Sequence, residues 1–343
     1  MKRTTLFSLL FFVCMAITAQ TRTVTDMAGR KVSLPTTVNK VFTDRFISLM
    51  AFALDEEMLC NSTFSVPDAG QKYISKAYCD KPLAETNAEE ILKLRPDVIL
   101  LSFLDDDDRE TAEGMQAKLH IPVLLVKFEL PKYREAYTFL GQALNRPASA
   151  NQIIDFLDKY IIPLNGQTKK IAKRPTVYYA EGNRGLNTEA AESLHSQVID
   201  YLNARNVAQV KTGSIHGMAA VSIEQILQWQ PDVIVAWSGF PAGMDLPKTA
   251  KKELTTREYI LTDAVWQQVA AARNKKVHQV PALPFGWIDR PPSSNCLSGV
   301  LWLAKQLYPE NVSFDLNAAL KEYFRLFYHV EITDKDIAYL INN

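Results

Sequence analysis

Neither sign of charge is in excess: 38 Lys and Arg balance 38 Asp and Glu over 343 residues. Nucleic-acid surfaces call for a basic face, so the balance gives no support for a nucleic-acid partner. Histidine is scarce at 5 and cysteine scarcer at 4. There is no phosphate-cradling Gly-rich loop, no His-Glu-x-x-His and no Gly-x-Ser-x-Gly elbow. Gly213-Ser214-Ile215-His216-Gly217 has its serine off-centre and reads as a turn. These absences exclude the common hydrolase and nucleotide-binding signatures, and no catalytic residue or cofactor is expected. His120, His195, His216, His278 and His329 do not fall together at strand ends, so no metal set is expected either. The acidic run at 105–108 lacks calcium-loop spacing and reads as a solvated loop capping a helix.

Beyond residue 19 no run is apolar enough to span a bilayer. The first 19 residues read as a signal peptide: Lys2 and Arg3, an apolar stretch over 6–17, then Thr18-Ala19-Gln20, with cleavage after Ala19. Cys14 follows Phe11, Phe12 and Val13, which are not the small residues of a lipoprotein box, so lipidation is not the expected outcome. The expected product is an exported, soluble monomer in the periplasm. Export permits disulfides. Cys60 and Cys79 pair or remain buried free thiols, and Cys296 is left over.

The chain carries an internal repeat. Glu89-Glu90-Ile91-Leu92-Lys93-Leu94-Arg95-Pro96-Asp97-Val98-Ile99-Leu100 matches Glu224-Gln225-Ile226-Leu227-Gln228-Trp229-Gln230-Pro231-Asp232-Val233-Ile234-Val235. Each reads as an amphipathic helix, a proline break and a strand buried on both faces. Lys40-Val41-Phe42-Thr43 precedes the first unit much as Thr176-Val177-Tyr178-Tyr179 precedes the second. Further strands are expected at 122–126 and 276–280. Strands alternating with helices give an α/β fold with a parallel sheet in each of two lobes. The expected organisation is a lobe over 20–147, one linking helix over 148–172, a second lobe over 173–312 and a helical tail over 313–343.

Open parallel sheets bind ligands beyond the carboxyl ends of their strands, which puts a cleft between the lobes. In the first lobe those ends carry Asp44 and Arg45, Ser102, Phe103 and Asp105, then Lys127 and Phe128. In the second they carry Tyr179, Glu181, Asn183 and Arg184, then Trp237 and Phe240, then Phe285, Trp287 and Arg290. The favoured ligand contacts are Arg45, Phe103, Tyr179, Arg184, Trp237, Phe285, Trp287 and Arg290. Rigid aromatics give contact area at low entropy cost, and arginine pairs with anionic oxygens. Convergence of Arg45, Arg184 and Arg290 would mark an anionic ligand.

Val24-Thr25-Asp26-Met27-Ala28-Gly29-Arg30-Lys31-Val32-Ser33-Leu34-Pro35 resembles the opening of the iron-siderophore and vitamin B12 periplasmic binding proteins. Asn87 through Ile91, then Pro96-Asp97-Val98-Ile99, is similar to their second marker. The resemblance covers nearly the whole mature chain. It implies a helical-backbone, class III substrate-binding protein that hands a small ligand to an ABC permease of the inner membrane. It also implies that Glu89 and Glu224 dock on that permease. The expected ligand is a ferric siderophore, with a corrinoid, haem or an oxyanion such as molybdate as alternatives.

Overall fold

The computed structural model describes residues 20–212, 217–239 and 254–342. In the first lobe, strands Val41–Thr43, Val98–Ser102 and Val123–Val126 form a parallel sheet with Val98–Ser102 in the centre. An antiparallel hairpin of Thr21–Thr25 and Lys31–Pro35 flanks it. In the second lobe, Thr176–Glu181, Val233–Trp237 and Val277–Gln279 repeat that order in parallel. Short strands Asn187–Glu189 and Met218–Ala220 extend this sheet antiparallel.

The repeat is structural as well as sequential. Helix Ala88–Leu94 starts at Asn87, whose side chain accepts from Glu90 N, and ends at Arg95 with φ 50°. Helix Ile223–Trp229 starts at Ser222, whose side chain accepts from Gln225 N, and ends at Gln230 with φ 42°. Both left-handed ends precede proline, which cannot continue a helix. The aspartate after each proline then clamps the neighbouring strand. Asp97 Oδ2 accepts from Asn39 N and Lys40 N at 2.8 and 2.9 Å. Asp232 Oδ2 accepts from Thr176 N at 2.9 Å. The Pro-Asp pair therefore both stops the helix and fixes strand register, which explains its recurrence.

The linking helix runs from Pro147–Phe156 through a π turn at Leu157–Ile161 into Ile162–Thr168. Pro163 lies within it and can neither donate nor tolerate the regular carbonyl below. The wider turn just before it, with Ile162 N bonded to Leu157 O, absorbs that conflict. Its inner face buries Ile153, Phe156, Leu157, Ile161 and Leu164. Helix Leu316–Phe327 returns to the first lobe, where Ser75 N donates to Tyr328 O at 2.8 Å and His329 Nε2 meets Phe52 O at 2.8 Å. The tail thus ties the end of the chain to its beginning. One apolar core runs continuously from Phe52 through Phe156 and Tyr323 to Val177 and Trp287.

Asp105 caps helix Asp106–Leu119 reciprocally with Asp108, in keeping with the capping reading of the acidic run. Cys60, Cys79 and Cys296 are free thiols in this structure. Cys60 packs with Phe42 and Ile99, whereas Cys79 packs against the separate main core. Burial pushes the Cys60 thiol up to about 11 and that of Cys296 up to about 12. A reducing agent should leave the thermal unfolding midpoint of the purified protein unchanged, and these two thiols should react with a thiol reagent only on unfolding. A lower midpoint under reduction would mean a disulfide after all.

Candidate functional site

The loop after Val277–Gln279 is built by close packing. A Cβ on Gly286 would stand 2.8 Å from the Trp237 ring and 3.0 Å from Arg290 Cβ, and one on Gly299 would stand 2.1 Å from Trp287 O. Only glycine admits these approaches, so the loop lies flat on Trp237 and on helix Cys296–Leu307. Its aromatics are anchors. Phe285 is fully buried against Tyr78 and Tyr328. Trp287 is fully buried, with Nε1 donating to Leu283 O at 2.9 Å. Trp237 is buried as well. Phe285, Trp287 and Trp237, expected at the cleft, are packing anchors in this structure, where burial of an apolar ring against a tight core is favourable.

What the anchored loop presents is Arg290, whose side chain is 20% exposed. Its Nη2 donates to Glu181 Oε1 and Glu189 Oε1, both at 2.9 Å. Its Nη1 meets Asp289 Oδ2 and His195 Nδ1. His195 Nδ1 lies 3.0 Å from Asp289 Oδ2. Tyr179 is fully buried beneath, with Oη donating to Asp289 Oδ1 at 2.5 Å. Tyr179 thus supports this cluster from below. Burial pushes the Glu181 carboxyl up to about 8, helped by Asp289 and opposed by Arg290. Burial also raises Glu189. Burial pulls the Arg290 guanidinium down, but the surrounding carboxylates outweigh it and hold it up.

Glu189, His195 and Asp289 have ligand atoms within 4.8 Å of one another, a spacing that suits a metal ion. The Arg290 guanidinium touches all three, so the cluster carries its own cation. Sequence reasoning placed Glu181 and Arg290 at strand ends but missed the roles of Glu189 and His195. No local motif marks them, because the partners lie on segments far apart in the chain.

The first-lobe wall is cationic and aromatic. Arg45 is exposed, 3.8 Å from Glu85 and 6.0 Å from the Phe64 ring centre. It lines a cavity of about 320 Å³ with Asp44, Phe46 and Asn87. Phe103 is half-buried, with Lys127 and Arg109 each 5.9 Å from its ring centre. Phe46 stacks on Phe128 at 4.8 Å. Ser293 Oγ donates to Phe46 O at 2.6 Å, bringing the strand-end loops of the two lobes face to face. Arg184 is exposed and helps lower the Asp263 carboxyl, which places it on the flank by helix Thr256–Thr262. The three arginines therefore do not converge: Arg45 meets Glu85, Arg184 faces Asp263 and Arg290 is held by carboxylates. Phe240 and residues 213–216 lie outside the described residues. Glu89 and Glu224 are exposed in the first turns of the two equivalent helices.

A protein-family model for periplasmic binding proteins matches residues 53–283. The chain belongs to that family, in the class III group of non-catalytic, extracytoplasmic substrate-binding proteins that partner ABC permeases. The molybdate-binding protein MolA of Haemophilus influenzae is 24% identical over 340 residues, 90% of this chain and 91% of that protein. The haem uptake protein IsdE of Staphylococcus aureus is 25% identical over 258 residues, 74% of this chain and 80% of that protein. Among solved structures, an ABC transporter solute-binding protein from Sulfurospirillum deleyianum superimposes with a TM-score of 0.82 at 28% identity, covering 94% of this chain and 99% of that one.

Proposed function

We propose that this chain captures a compact, metal-containing anion, an oxyanion of the molybdate class, and delivers it to an ABC permease. The observation that carries this reading is the Ser293 Oγ to Phe46 O contact, which sets the first lobe's strand-end loops, with Arg45 and Lys127, against the second lobe's loop that carries Arg290. The first wall supplies positive charge, and the second supplies fixed hydrogen-bonding groups. The similarity to MolA along nearly all of both chains supports it. Neither curated relative's name speaks of a siderophore, so the expected ferric siderophore gives way to this alternative. A second reading is a planar chelate with an anionic rim, such as haem. The aromatic first-lobe wall of Phe46, Phe64 and Phe103 favours it, as does the similarity to IsdE. Glu89 and Glu224 are proposed as the acids that meet the permease.

A thermal-shift series with molybdate, haem, cobalamin and ferric siderophores separates these readings. A ligand at a thousandfold excess over its Kd adds about 4 kcal/mol of apparent stability. Molybdate is expected to give the large shift. A shift with haem alone would select the second reading, and one only with a siderophore or cobalamin would overturn both.

A further inference from the structure

We infer that Glu181 is a neutral carboxylic acid in the ligand-free protein, and that its proton sets the charge of ligand the cleft floor accepts. The second half rests on the proposed oxyanion reading.

Three buried carboxyls, Glu181, Glu189 and Asp289, surround one guanidinium, with side chains 3%, 1% and 1% exposed. Three ionised carboxylates against one arginine would leave uncompensated charge in a site that water barely reaches, which is costly. A proton on one of the three relieves that charge. Asp289 is engaged at both oxygens, by Tyr179 Oη at one and by Arg290 and His195 at the other. Glu189 is also engaged at both, by Arg290 Nη2 and by Ser193 Oγ at 3.2 Å. Glu181 receives Arg290 at Oε1, while its Oε2 is buried with no hydrogen-bond partner among the described residues. The geometry alone therefore singles out Glu181 as the proton carrier. The titratable and charged groups around it are Arg290 and Asp289 from the anchored loop, His195 against both of these, Glu189 from the adjacent strand, and Tyr178 and Tyr179 from its own strand. The direction in which burial moves its carboxyl agrees.

The functional consequence follows from charge. With Glu181 neutral, Arg290 faces two carboxylates in place of three, and repulsion of an arriving anion is smaller. Ionising Glu181 adds a negative charge at the floor, so anion binding and loss of this proton oppose each other.

The test has two arms. Without ligand, wild type and Glu181→Gln are unfolded by urea across pH 5 to 10. The folded wild type holds a proton that its unfolded chain releases near the ordinary glutamate range. Relative to the variant, its folding equilibrium should therefore weaken by up to about tenfold per pH unit until about pH 8, then level off. Parallel curves would overturn the inference whatever the ligand is. With molybdate, wild-type affinity should fall up to tenfold per pH unit above about 8, and the Glu181→Gln profile should lack that fall. Calorimetry of wild type in buffers of different ionisation enthalpy should show proton uptake on molybdate binding at pH 9 and almost none at pH 7. This measurement needs no variant. A pH-independent affinity would overturn the charge-setting role. A proton seen in the first arm with no molybdate binding at any pH would overturn the proposed ligand, and the charge-setting role with it, while the protonation assignment stands.

Discussion

Replacing Arg290 by Met should destabilise the protein by about 3–5 kcal/mol at neutral pH, because removing one partner from a buried charged network strands the others. The stranded groups are Glu181, Glu189 and Asp289, all with side chains almost inaccessible to solvent. Methionine matches the apolar stem of arginine, so the loss reports charge more than volume. The loss should be smaller at pH 5 than at pH 8. Without the guanidinium, the raised carboxyls of Glu181 and Glu189 rise further above their unfolded values, so stability is retained at low pH and lost as pH rises through them. Adding Glu181→Gln and Glu189→Gln to the arginine variant should recover part of the loss, since contacting groups are not additive. Urea denaturation at both pH values checks each step. A cost below about 1 kcal/mol would show that the network is open to water.

Charge reversal at the proposed docking acids should have the largest effect on transport. The double variant Glu89→Arg, Glu224→Arg should abolish uptake through the permease while ligand affinity and the unfolding midpoint stay near wild type. Both residues are exposed and lie away from the Arg290 cluster, on the first turns of the two equivalent helices. Each single reversal should reduce uptake less than the pair, because the other lobe still docks. A carboxylate in a first helical turn also favours the helix dipole, but at these exposed positions water screens that effect. That contribution is small enough for a folded control to be expected. Undiminished uptake by the double variant would refute the docking assignment.

The repeat was legible because its signals are local. Helix caps at Asn87 and Ser222, proline breaks at Pro96 and Pro231, and the apolar strands behind Asp97 and Asp232 all sit within a few residues of one another. The linking helix was legible for the same reason, through its apolar periodicity. The aromatic residues of the 284–292 loop, expected at the cleft, pack into the core. Their type says only that they seek contact. Gly286 and Gly299, each with a neighbour where a Cβ would stand, decide that the contact is core.

The sequence by itself determined the α/β class, the two parallel sheets, the helix that joins them and the positions of Glu89 and Glu224, because each follows from period, break and cap within one segment. Tertiary structure alone decided that Arg290 is spent on Glu181, Glu189 and Asp289, that His195 joins them, and that Arg184 stands apart on the flank. Those partners come from three segments with no shared local pattern. Their meeting depends on how the sheet and the loop after Val277–Gln279 pack, and low-dielectric burial then gives the meeting its electrostatic weight.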